Sequence, residues 1–82
     1  MFDKKVIECF LANQLKLFPE EVAQTEAEAR EFLEEVFAVV VKGKKEVIEY
    51  FEEEGIDFDA NDILSADEIF DIGDGRYLIV EA

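Results

Sequence analysis

The chain contains no histidine and no tryptophan, and only one cysteine and one proline. Without histidine there is no Ser-His-Asp triad and no Cys-His pair. With a lone cysteine as well, zinc has no ligand set. Cys9 by itself excludes an internal disulfide and suits a reducing compartment. Its neighbours Glu8 and Phe10 do nothing to lower a thiol pKa, so it reads as buried and inert. The only aliphatic hydroxyls are Thr25 and Ser65, and both stand where helices are expected to start. Positive charge is scarce too: 8 Lys and Arg face 22 Asp and Glu, a formal net charge of −14. Affinity for phosphate rests on Lys and Arg, so no nucleic acid and no membrane surface is expected as a partner. The longest apolar run, Val36 to Val41, is far short of the ~20 residues that span a bilayer. The start, Met1-Phe2-Asp3-Lys4-Lys5, lacks an apolar signal-type stretch. A cytoplasmic protein is expected.

What is present is hydrophobic mass. Half of the 82 residues are apolar, which sets the chain apart from a disordered acidic tail. The length fits a single domain, residues 1–82, with a modest core. Repulsion among the carboxylates opposes compaction, and added salt is expected to relieve it.

The expected fold class is α+β, in the order α-α-β-α-β-β. Val6, Ile7, Phe10, Leu11, Leu15 and Phe18 recur at helical spacing from Asp3 to Phe18. Asp3 can cap this helix and Pro19 stops it. Thr25 and Glu28 have capping-box spacing for a second helix, whose apolar face is Ala29, Phe32, Leu33 and Val36. The residues around Val22 suit a short edge strand. The run Val36 to Val41 has no polar alternation, the pattern of an inner strand covered on both faces. A third helix runs from Lys44 to Glu54 and ends at Gly55. Two further strands, Glu68 to Ile72 and Tyr77 to Glu81, flank Gly73-Asp74-Gly75-Arg76 and predict a C-terminal hairpin. With Asp74-Gly75 as its loop, Ile72 faces Tyr77, Phe70 faces Ile79, and Ile69 meets Val80. The long crossover through the third helix allows the first strand to lie parallel to one hairpin strand, giving a small mixed sheet packed by helices.

Three constellations bear on function. The segment from Asp57 to Glu68 resembles an EF-hand calcium loop in its spacing: Asp57, Asp59, Asn61, Ser65 and Glu68 fall at ligand positions 1, 3, 5, 9 and 12. Hard cations take such oxygen ligands. Asp62 stands where that loop turns on Gly, and strand-like residues follow Glu68. The plainer alternative is a solvated loop with a short capped turn of helix.

Lys42, Gly43, Lys44 and Lys45 gather three of the eight basic residues between a strand and a helix start. Cations there oppose the helix dipole, as do Glu52, Glu53 and Glu54 at the other end. Backbone amides and lysines could converge on a small anion; the alternative is pairing with acids such as Glu34, Glu35 or Glu46. Finally, the first helix is apolar over more than one face. Phe10, Asn13, Gln14 and Leu17 then form a partner interface, unless the domain buries that helix from two sides.

No catalytic constellation emerges, so an enzyme is not expected, and no cofactor is implied. The sequence is read as a non-enzymatic, acidic protein-interaction module, with a basic protein partner or a homodimer as its complex. The alternative is a calcium- or magnesium-binding protein that uses the 57–68 loop.

Overall fold

A computed structural model describes residues 2–59 and 61–81. The Asp3 carboxylate accepts the Val6 N–H at 3.0 Å and starts helix α1, Lys4–Asn13. A 3₁₀ turn, Gln14–Lys16, ends it before Pro19 is reached. Thr25 caps helix α2, Glu26–Glu35, by accepting the Glu28 N–H at 3.2 Å, and Glu28 reaches back to the Gln24 N–H at 2.9 Å. Strand β1 is Val39–Lys42, helix α3 is Gly43–Glu53, and a second 3₁₀ turn covers Ile63–Ser65. The hairpin strands β2, Ile69–Asp71, and β3, Arg76–Ile79, complete an α+β domain.

The sheet order is β1-β3-β2, and both pairings are antiparallel. β1 does run parallel to β2, but β3 lies between them. The expected mixed sheet is therefore an antiparallel one, with β3 rather than the Val36–Val41 run at its centre. β1 begins late because Val36 and Phe37 serve to stop α2. The Phe37 N–H bonds to the Glu34 C=O at 3.3 Å, and the Ala38 N–H to the Leu33 C=O at 3.0 Å. This is the Schellman pattern, with Phe37 at φ 57° in the position that usually takes glycine.

The hairpin register is one residue away from the expectation. Phe70 faces Leu78 and Ile69 faces Ile79. The loop is Gly73-Asp74-Gly75, closed by the Ile72 N–H on the Arg76 C=O at 3.1 Å. Both loop glycines have positive φ, 97° and 92°. Burial explains the choice, since a one-residue slip turns a strand over. In the observed register Phe70, Leu78 and Val40 share one face with Val6, Ile7, Phe10 and Leu33 of α1 and α2. Ile69, Ile79 and Val39 share the other with Val47 and Phe51 of α3 and with Ile63. The sheet is thus the middle of three layers, with an apolar cluster on each side.

No strand forms around Val22. The Gln14 side chain, 2% exposed, takes that backbone instead. Its Oε1 accepts the N–H groups of Val22 and Ala23 at 2.7 and 3.1 Å, and its Nε2 donates to the carbonyls of Ala23 and Leu11 at 2.9 and 3.2 Å. Ser65 closes its 3₁₀ turn and starts no helix. Among the described residues no helix is long and apolar enough to cross a membrane.

Candidate functional site

The four loop carboxylates that border one depression are Asp57, Asp59, Asp62 and Glu68. It measures about 130 Å³, and Phe51, Ile56, Phe58 and Ile63 supply its apolar wall. Asn61 and Ser65 do not line it. The Asp59 carboxylate accepts the Asn61 N–H at 2.9 Å, the Asp62 N–H bonds to the Asp59 C=O, and the Ser65 N–H bonds to the Asp62 C=O. Position 60 lies outside the described residues. Among the described residues no three acidic, cysteine or histidine side chains converge closely enough to hold a metal ion. Of the five residues that share EF-hand spacing, Asp57, Asp59 and Glu68 line this one depression, whereas Asn61 and Ser65 lie in local turns beside it.

At the other sequence candidate, the first two amides have partners. The Lys42 N–H donates to Glu46 Oε1 at 2.7 Å, and the Gly43 N–H to the Gly75 C=O at 2.9 Å. The Glu46 carboxylate therefore sits where an anion would approach. Lys42, Lys44 and Lys45 are exposed, and none forms an ion pair among the described residues. The pairing of these lysines with Glu34, Glu35 or Glu46 does not form among the described residues.

Much of the wide stripe of the first helix is used inside the domain, although Leu15 is 61% exposed. Phe10 is fully buried, stacked on Phe32 at 5.7 Å and close to Phe70 at 5.6 Å. Gln14 is buried as described, and Leu17 is half-buried against the same cluster. Only Asn13 is exposed, and its amide donates to the Cys9 C=O at 2.8 Å. Two of the four interface residues, Phe10 and Gln14, are therefore beyond a partner's reach. In a helix buried from two sides Gln14 is expected to bond to backbone, and its partners prove to lie 8 and 9 residues along the chain.

Another depression lies on α2. It has a volume of about 270 Å³, an apolar floor of Val22 and Phe32, and a rim of Glu28, Glu31 and Glu35. The three acids recur at i, i+3 and i+7, so helical geometry sets them on one face. None forms an ion pair among the described residues. The volume falls below the ~300–1,000 Å³ of small-molecule pockets and has the scale of one long side chain. The spacing was visible in the sequence, but in so acidic a chain nothing singled these residues out until Val22 and Phe32 were seen between them.

A second exposed feature lies just beyond this helix. Phe37 is 84% exposed, the most exposed of the large apolar side chains among the described residues. It is also the only non-glycine residue there with positive φ.

The ion pairs of the described residues gather at the hairpin. Arg76 holds Asp74 through two nitrogens, at 2.8 and 3.0 Å, and reaches Asp3 at 2.9 Å. Its guanidinium keeps the Asp74 carboxyl down at about 2. Burial pushes the Cys9 thiol up, and its S–H donates to the Asp71 C=O at 3.3 Å.

Comparison with known proteins finds no matching family model, no similar curated protein and no similar solved structure.

Proposed function

We propose that this chain is a non-enzymatic interaction module that captures a basic segment of a protein partner in the cytoplasm. The depression on α2 carries the reading. Its three carboxylates lack ion pairs among the described residues and line one depression with two apolar side chains. A lysine or arginine fits that chemistry, because its aliphatic stem lies on apolar surface while its charged head meets carboxylates. The net charge of −14 adds long-range attraction for a basic protein. A single free cysteine suits a reducing compartment.

The test is capture from lysate at low and high salt, comparing the wild type with the triple variant Glu28→Gln, Glu31→Gln, Glu35→Gln. Basic proteins are expected on the wild type at low salt, released at high salt, and absent from the triple variant. Retention that ignores salt, or that survives the triple substitution, contradicts the reading.

A further inference from the structure

The two outer edges of the sheet differ in what covers them. On β1 the odd residues face β3, as the bond from the Gly43 N–H to the Gly75 C=O and the Val39↔Ile79 pairing require. Ala38, Val40 and Lys42 therefore turn their backbone groups outward. The Ala38 N–H is taken by Leu33 and the Lys42 N–H by Glu46. By this register the N–H and C=O of Val40 point away from β3, and no turn, loop or side-chain bond reaches them among the described residues. A sheet edge in this state is a template for another strand.

The charges that flank β1 in the chain are sorted by sign, with Glu46 at the lysine end as the exception. Glu34 and Glu35 end α2 just before β1, and Phe37 stands between them and the strand. Lys42, Lys44 and Lys45 follow at the far end. A chain with 22 acids leaves these three lysines without an ion pair among the described residues. An antiparallel copy of the same edge reverses the order, so that acids meet lysines at both ends.

We propose that two copies of this chain pair antiparallel through β1, with Val40 opposite Val40 of the second copy and Ala38 opposite its Lys42. The two Val40 residues exchange N–H···O=C bonds at the centre. Lys42, Lys44 and Lys45 of each copy lie toward Glu34, Glu35 and Phe37 of the other, where an ammonium meets carboxylates and an aromatic face. The net charge of each copy opposes association, but at physiological salt charges beyond about 8 Å are largely screened, and the neighbours across this edge are of opposite sign. The short edge makes a small interface, of the size class of transient complexes. Exposed lysine on an edge strand is also a device against pairing, and the experiment separates the two roles.

Sedimentation equilibrium from micromolar to millimolar concentration is measured for the wild type, for Glu34→Lys/Glu35→Lys, for Lys44→Glu/Lys45→Glu, and for an equal mixture of the two variants. Both changes agree with the helix dipole at their positions, so both variants are expected to fold. The wild type is expected to dimerise. Each variant alone is expected to bind itself about tenfold more weakly or worse, and the mixture to regain a dimer. Glu34→Lys/Glu35→Lys is decisive: its net charge is closer to zero, so tighter self-association by that variant overturns the proposal. A wild type that stays monomeric at millimolar concentration, or a mixture no tighter than its parts, also overturns it. Slowed exchange of the Val40 amide in the wild-type dimer is the required signature; a dimer that leaves Val40 unprotected uses another surface and counts against β1.

Discussion

The outer edge of β2 and the outer edge of β1 belong to one sheet but meet their surroundings differently. On β2 the N–H and C=O of Ile69 and the C=O of Asp71, which face outward, have partners from the same chain. The Ile69 N–H bonds to the Ala66 C=O at 3.1 Å, the Lys16 ammonium bonds to the Ile69 C=O, and the Cys9 thiol donates to the Asp71 C=O. Lys16 also lies 5.5 Å over the Phe70 ring. On β1 only the flanking N–H groups are satisfied, and Val40 is open. The difference teaches that lids come from sequence order: α1 and its 3₁₀ turn fold over β2, whereas on β1 the end of α2 and the Glu46 side chain reach only Ala38 and Lys42. It also casts Phe37 in a different light. Gly55 ends α3 at φ 69° with the same pair of bonds that Phe37 makes at φ 57°. The closed side of the molecule obeys local rules; the open side breaks one in the exposed residue nearest the edge, the situation in which strain points to function.

The comparison breaks most severely at Gln14, which holds the turn that covers β2. Gln14→Leu strands the Val22 and Ala23 backbone groups and is expected to cost about 2–4 kcal/mol in urea unfolding. Removing the lid itself, with Cys9→Ala and Lys16→Met together, is expected to cost about 1–2 kcal/mol and to make β2 a second open edge. Static light scattering checks the latter through increased association. On the other side, Phe37→Gly is expected to raise stability by about 1 kcal/mol, because it relieves the left-handed strain and removes no buried contact. Denaturation of that variant at equal or lower urea would show that Phe37 is held by packing after all.

A smaller effect concerns the hairpin that joins the two sides. Arg76 lowers the folded-state pKa of Asp74, so this carboxylate contributes stability above the ordinary carboxylate range and loses it as pH falls toward about 2. Asp74→Asn is therefore expected to be less stable than the wild type at neutral pH, with the gap closing through that acid window. Smallest is the general response to salt: melting temperature is expected to rise with ionic strength as the repulsion of −14 charges is screened.

Much of the fold was legible in local signals. Asp3 and Thr25 cap helices as their spacing implies, and Gly55 ends the third helix. The sheet was harder to read, because strand neighbours are set by burial across layers rather than by local pattern. The hairpin register followed from which of Leu78 and Ile79 shares a face with Phe70, and the sequence favours neither. Val36 and Phe37 look like strand, yet they end a helix, since β-branched and aromatic residues carry no mark for a left-handed turn. The candidate sites were less legible still. Spacing alone grouped Asp57, Asp59, Asn61, Ser65 and Glu68; Asp57, Asp59 and Glu68 share one depression, while Asn61 and Ser65 fall in the turns beside it. The rim of Glu28, Glu31 and Glu35 became distinct only once Val22 was placed beside α2.

The most direct test of the asymmetry between the edges is amide hydrogen exchange at Val40 and Ile69 as protein concentration rises. In dilute solution Val40 is expected to exchange fast and Ile69 slowly, and with increasing concentration Val40 alone is expected to slow. A Val40 amide as protected as Ile69 in dilute solution, or one indifferent to concentration, would contradict an open β1 edge that a second copy completes.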